Sequence, residues 1–81
     1  MNNLASYKLL AAMKILEDIG WDCVLLHRQQ HWTVWVRYID QGPLFDYTVT
    51  IDQAALRDPD IDPETLAGMI KREALTAMEV R

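Results

Sequence analysis

Between residues 32 and 51 the chain alternates side-chain character twice, on either side of a turn signal, and little but a β-hairpin accommodates that. In Trp32–Ile39, Val34, Val36 and Tyr38 alternate with Thr33, Trp35 and Arg37. In Phe45–Ile51, aromatic and β-branched residues alternate with Asp46, Thr48 and Thr50. A period of two puts each set on one side of a pleated strand. The intervening Asp40-Gln41-Gly42-Pro43 is a turn, because glycine permits positive φ and proline fixes its own.

A third strand is expected at Cys23–Arg28, with two registers open to it. A two-residue turn at Gln29-Gln30 would turn Cys23, Leu25 and His27 inward. A three-residue turn through His31 would bury Val24 and Leu26 instead, leaving Leu25 and His27 on the outer side, and is favoured because it buries Val and Leu. A slip of one residue reverses every side chain, so the two are exclusive.

Helical periodicity brackets these strands. From Leu4 to Ile19 one face collects Ala5, Leu9, Ala12, Met13, Leu16 and Ile19, with Tyr7, Lys14 and Asp18 opposite. Asn3 is the expected N-cap, and Gly20 the left-handed residue after the helix, with Trp21 packing back on Leu16. Residues 52–56 suit one helical turn. The last helix has a capping residue, Asp62, then Pro63 at the first helical position, Glu64 in the first turn, and Ile61 and Leu66 spaced as a hydrophobic staple. It runs to about Val80 and buries Leu66, Ile70, Ala74 and Ala77, with Ala67 and Met78 at the margin and Met69, Leu75 and Val80 off that face.

The predicted fold is α+β: one small domain over 1–81, α-β-β-β-α, with a three-stranded antiparallel meander and both helices on one face. The other face is left uncovered. This element order resembles that of double-stranded-RNA-binding domains, in topology only. Those domains carry lysines at the start of the second helix to meet phosphates, whereas the corresponding segment here is Asp60-Ile61-Asp62-Pro63-Glu64.

Charge narrows the function classes. The net charge is −4, and residues 40–64 hold seven acids against Arg57 alone. A polyanionic region repels phosphates and attracts basic surfaces, so direct nucleic-acid binding is disfavoured. One cysteine, no basic signal-like start and no long apolar run give the expectation of a soluble, cytoplasmic protein without a membrane span.

No catalytic, metal or cofactor set is expected. Ser6 is the single serine, and Cys23 and His27 would be a nucleophile and base with no oxyanion hole beside them. Cys23, His27 and His31 are too widely spaced along an extended strand for zinc. The run from Asp58 to Glu64 mimics half a calcium loop, but Pro63 stands where glycine is required and Met69 where an acid is required.

The remaining reading is a small acidic, non-enzymatic protein-interaction module: an inhibitor or regulator, of bacterial or phage type, binding a basic nucleic-acid-handling protein. Its expected contacts are Trp35 and Arg37 on the uncovered sheet face, which could also form a homodimer, and Asp52, Asp58, Asp60, Asp62 and Glu64 along an acidic edge. The alternative is an RNA or single-strand binding domain stacking bases on Trp35, His27 and Tyr38.

Overall fold

A computed structural model describes residues 3–28, 31–39 and 44–79. The elements in chain order are α1 (Asn3–Asp18), β1 (Asp22–Arg28), β2 (His31–Ile39), β3 (Leu44–Ile51), α2 (Gln53–Arg57) and α3 (Pro63–Glu79). The strands form one antiparallel sheet in the order β1-β2-β3. Packing of α1 on β1, α3 on β3 and α1 on α3 lays a helical layer over one side of the sheet. The α+β arrangement is as the sequence patterns predict, and the helical turn expected at residues 52–56 is the short α2.

The core is the meeting of the two periodicities. Leu9, Ala12, Met13 and Leu16 from α1, Leu66, Ala67, Ile70 and Ala74 from α3, and Val34, Val36, Val49 and Ile51 from the strands are all buried. Trp21 and Leu56 complete it, with Trp32 and Tyr47 packed at its rim. Several apolar assignments change, among them Ala67, expected at the margin of α3 and in fact buried. Ile19 is 51% exposed, because α1 ends at Asp18 and the chain turns away before another helical position is reached. Leu75, expected off the buried face of α3, is partly buried against the core. Ala77 is half-buried, while Met69 is exposed as expected. The side chains of Ala5 and Met78, and all of Val80, lie outside the described residues.

Both ends of this helical layer are set by local chemistry. Gly20 has φ of 94°; the Gly20 amide donates to the Glu17 carbonyl, and the Trp21 amide to that of Leu16 (both 3.0 Å). This doubly bonded stop satisfies two carbonyls that the helix end would otherwise leave bare, and Trp21 and Leu16 enter the same core. Asn3 is the first residue inside α1 rather than its cap. At α3, Asp62 caps as expected: its Oδ1 accepts from the Thr65 amide at 2.7 Å, and Ile61 and Leu66 both join the core.

The two described glycines separate backbone geometry from packing, since a Cβ at either would touch nothing within 4 Å. Gly20→Ala is therefore expected to destabilise by about 1 kcal/mol, the cost of a side chain at positive φ. Gly68→Ala, on the exposed face of α3, is expected to stabilise by about 0.5–1 kcal/mol. Urea midpoints of the two variants should move in opposite directions.

The register of β1 corrects the sequence expectation. Arg28 pairs with His31 and Leu25 with Val34, so two residues, not three, separate the strands. Cys23, Leu25 and His27 therefore face the helices, and Val24 and Leu26 take the uncovered side. Both sides of β1 are apolar, and Gln29-Gln30 carries no turn residue that would fix a register. Pairing with β2 decides it: Leu25 joins Val34 at the core, and Val24 lies opposite Trp35. The turns at Gln29-Gln30 and Asp40–Pro43 lie outside the described residues.

Candidate functional site

The uncovered sheet face is a grid set by the two registers. Its central row is Val24–Trp35–Thr48, flanked by Asp22–Arg37–Asp46 on one side and Leu26–Thr33–Thr50 on the other. Alternation places Trp35 and Arg37 on the side away from the helices, as the sequence implies. Val24 is 46% exposed and Trp35 partly so, giving an apolar centre larger than expected once Val24 and Leu26 have moved to this side.

Arg37 is held from two directions. Its Nη2 and Nε donate to the same Asp22 oxygen, Oδ2, at 2.6 and 3.0 Å. Its Cζ stands 5.7 Å from the centroid of the Trp35 ring. An exposed ion pair of this kind adds at most about 1 kcal/mol to stability. Its larger effect is to restrict the rotamers of both side chains, which lowers the ordering cost of any contact made there. Asp22 was not among the residues expected at this face; it entered with the β1 register.

The acidic edge begins where the grid ends. A depression of about 490 Å³, lined by His31, Thr50, Ile51, Asp52 and Gln53, runs from the sheet face to Asp52. The five acids have different local duties. Asp52 caps α2, its Oδ1 accepting from the Ala54 amide at 2.9 Å. Asp58 Oδ1 accepts from the Asp60 amide at 2.9 Å. Asp62 caps α3; the Thr65 amide, then the Thr65 hydroxyl and more weakly the Lys8 charge, hold its carboxyl below the usual range. Asp60 and Glu64 are exposed, Glu64 in the first turn of α3.

Lys8 was not foreseen as part of this region. From α1 its ammonium donates to the carbonyls of Asp58 at 2.7 Å and Ala55 at 3.2 Å, across the C-terminal end of α2. A cation is favoured where helix carbonyls are left unpaired. The edge is thus anionic on its outer side with one cation tucked behind it.

The residues weighed for chemistry are not assembled into a site. His31 occupies a register position on the opposite side of the sheet from Cys23 and His27, so the three potential zinc ligands are split. Among the described residues no cluster of three His, Cys, Asp or Glu side chains could hold a metal ion. Of the three stacking aromatics, His27 belongs to the helix side and stacks on Trp32, ring centroids 4.2 Å apart, rather than sharing a face with Trp35. The side chains of Ser6 and Tyr38 lie outside the described residues.

Burial first, then the charges of Glu17 and Asp22, push the Cys23 thiol up from its usual 9.0 to about 11. A nucleophilic cysteine needs the reverse. At pH 8.5 alkylation of Cys23 in the folded protein should be at least roughly tenfold slower than in urea, converging as pH approaches 11. Because the folded state keeps this proton longer, its stability contribution is complete below pH 9 and lost between 9 and 11. A denaturation series across that range measures it.

Compared with protein-family models, curated proteins and solved structures, the chain matches none. Among the described residues no helix is long and apolar enough to cross a membrane.

Proposed function

We propose that this chain is a small acidic protein-interaction module, acting by contact rather than by catalysis, whose partner is a basic protein. The observation that carries this reading is the row Val24–Trp35–Thr48 on an uncovered sheet face, with Arg37 fixed between Asp22 and the indole. Tryptophan and arginine at the centre of an apolar patch are the composition of interface hot spots, and here both are already ordered.

The acidic edge from Asp52 to Glu64 supplies the second half of the contact. Charge along an exposed edge contributes to approach and orientation and is screened by salt, whereas the apolar row is not. A protein whose own function requires a phosphate-binding groove presents the complementary surface. An inhibitor or regulator of a nucleic-acid-handling enzyme, in the cytoplasm of a bacterium or encoded by a phage, fits this charge layout. The sheet face is equally available to a second copy, forming a homodimer in the absence of the partner.

The test is the partner recovered from native cell extract by crosslinking, remeasured with variants. Trp35→Ala should weaken binding at least about tenfold, the cost of truncating a central aromatic. Asp58→Lys with Asp60→Lys should slow association and flatten its salt dependence. Unchanged binding in the charge variant, with loss in Trp35→Ala, would discard the basic-partner assignment. Binding to a mixed oligonucleotide at low salt, lost in Trp35→Ala, would transfer the face to single-stranded nucleic acid.

A further inference from the structure

The uncovered face is unevenly divided between its strands. Its apolar groups lie on β1 and β2: Val24 and Leu26 are neighbours along β1, and Trp35 stands opposite Val24 on β2. Thr33, opposite Leu26, donates its hydroxyl to the Leu26 carbonyl at 3.3 Å, so that proton is satisfied within the sheet. The β3 column is polar instead, with Asp46, Thr48 and Thr50, and Asp52 continues it beside Thr50. Among the described side chains of this face Arg37 is the one lysine or arginine, and Asp22 already holds it.

Three strands about 4.8 Å apart span about 10 Å from β1 to β3, the diameter of one α-helix. Residues two apart on β1 are separated by about 6.7 Å, close to the roughly 6 Å between residues four apart on a helix. A helix laid along β1 and β2 therefore sets successive apolar residues against Val24 and Leu26, with Trp35 beside them. Its flank then overhangs β3, where Asp46 and Asp52 are at most about 20 Å apart along the chain, or roughly thirteen helical residues. The opposite face of the same sheet is already covered by helices. A second sheet would have to cover the β3 column as well, enclosing Asp46 and two threonines.

We propose that the uncovered face seats one amphipathic α-helix of the partner, about four turns long. Its apolar stripe lies over Val24, Leu26 and Trp35, and its flank carries lysine or arginine above Asp46 and Asp52. Charge complementarity selects this occupant, since a base on a long stem can cover Thr48 and Thr50 while its charge stays in water beside an acid. A second copy is the poorer occupant. Its exposed helical pair, Tyr7 and Leu10 of α1, is accompanied by Glu17 and Asp18, and its Lys14 is held by Asp18 at 3.2 Å. The seat presupposes the protein partner proposed above and adds the form of the contact. A partner lost in Trp35→Ala yet bound through an extended segment would remove the helix and keep that reading. A partner indifferent to Trp35→Ala would remove both.

The probe is a blocked alanine-based peptide of about sixteen residues, with leucines three and four apart and lysines along one flank, titrated into the isotope-labelled full chain. The expected result is shifted resonances at the amides of Val24, Thr33 and Thr48 and at the Trp35 indole, with the peptide gaining helical ellipticity as it binds. Trp35→Ala should weaken it at least about tenfold. Val24→Lys, at a position 46% exposed, sets a base in the apolar seat and should weaken it as well. Asp46→Asn and Asp52→Asn should each weaken it up to about fivefold, the range of an exposed charge pair; asparagine at 52 keeps the cap of α2. A peptide with glutamate in place of lysine should not bind. The proposal is overturned by an absence of shifts at millimolar peptide, by shifts centred on Asp58 to Glu64 with Trp35→Ala unchanged, by binding without added helicity, or by equal affinity for the glutamate peptide. Concentration-dependent shifts joining Tyr7 and Leu10 to Trp35 without peptide would also overturn it, in favour of a second copy.

Discussion

Leu16→Ala is expected to cost about 2–5 kcal/mol and lower the melting temperature by roughly 10–30 °C. The side chain is 1% exposed, lies in the core beneath the end of α1, and shares it with Trp21. Truncation removes the transfer energy of the buried methylenes and leaves a cavity. It also removes an apolar group beside the helix stop whose carbonyl accepts from Trp21. A chain of this length has a total stability of roughly 4–12 kcal/mol, so a large part of the population would be unfolded at the upper end of that cost. Ile19→Ala, three residues on but 51% exposed, should change stability by less than about 0.5 kcal/mol. Thermal melts of the pair distinguish the two, and equal losses would place Ile19 in the core.

Lys8→Met is expected to destabilise by about 2–3 kcal/mol. Hydrogen bonds to a charged group contribute roughly 1.5–3 kcal/mol, and this ammonium makes two, to the Ala55 and Asp58 carbonyls. Methionine keeps the aliphatic stem but leaves both acceptors without that donor. The loss is local: α2 is five residues long and has no independent stability. Amide exchange should therefore accelerate most at Asp58, whose N–H donates to Ala54, while exchange in β2 follows the global stability alone. Removing the charge should also raise the Asp62 carboxyl, which Lys8 helps to hold down. Its capping contribution, complete above the ordinary carboxyl range and lost as pH falls, would then fade at a higher pH than in the parent.

How far the sequence led depended on whether each decision was local. The stop of α1 and the start of α3 were legible because Gly20, Asp62 and Pro63 act within a few residues of themselves, whereas Asn3 proved to lie inside α1. The hairpin of β2 and β3 was legible because its alternation is clean. Strand β1 was not: Cys23, Leu25 and His27 compete with Val24 and Leu26 at similar hydrophobicity, and only Val34 and Trp35 opposite them break the tie. Lys8 was invisible for the same reason, since its acceptors lie 47 and 50 residues away. At the candidate site, Trp35 and Arg37 followed from strand period. Asp22 and Val24 arrived only with the register, and Asp52, Asp58 and Asp62 proved to serve backbone amides as well as contributing surface charge.

Every strand pairs with its neighbour in sequence, and this order has a kinetic consequence. Two successive hairpins can zip on the microsecond scale without searching for distant partners. The slow step is then the meeting of the chain's two flanks, α1 with α2 and α3, because those contacts must close a loop spanning the whole meander. Substitutions between those helices should retard refolding, while substitutions on the outer sheet face should leave its rate almost untouched.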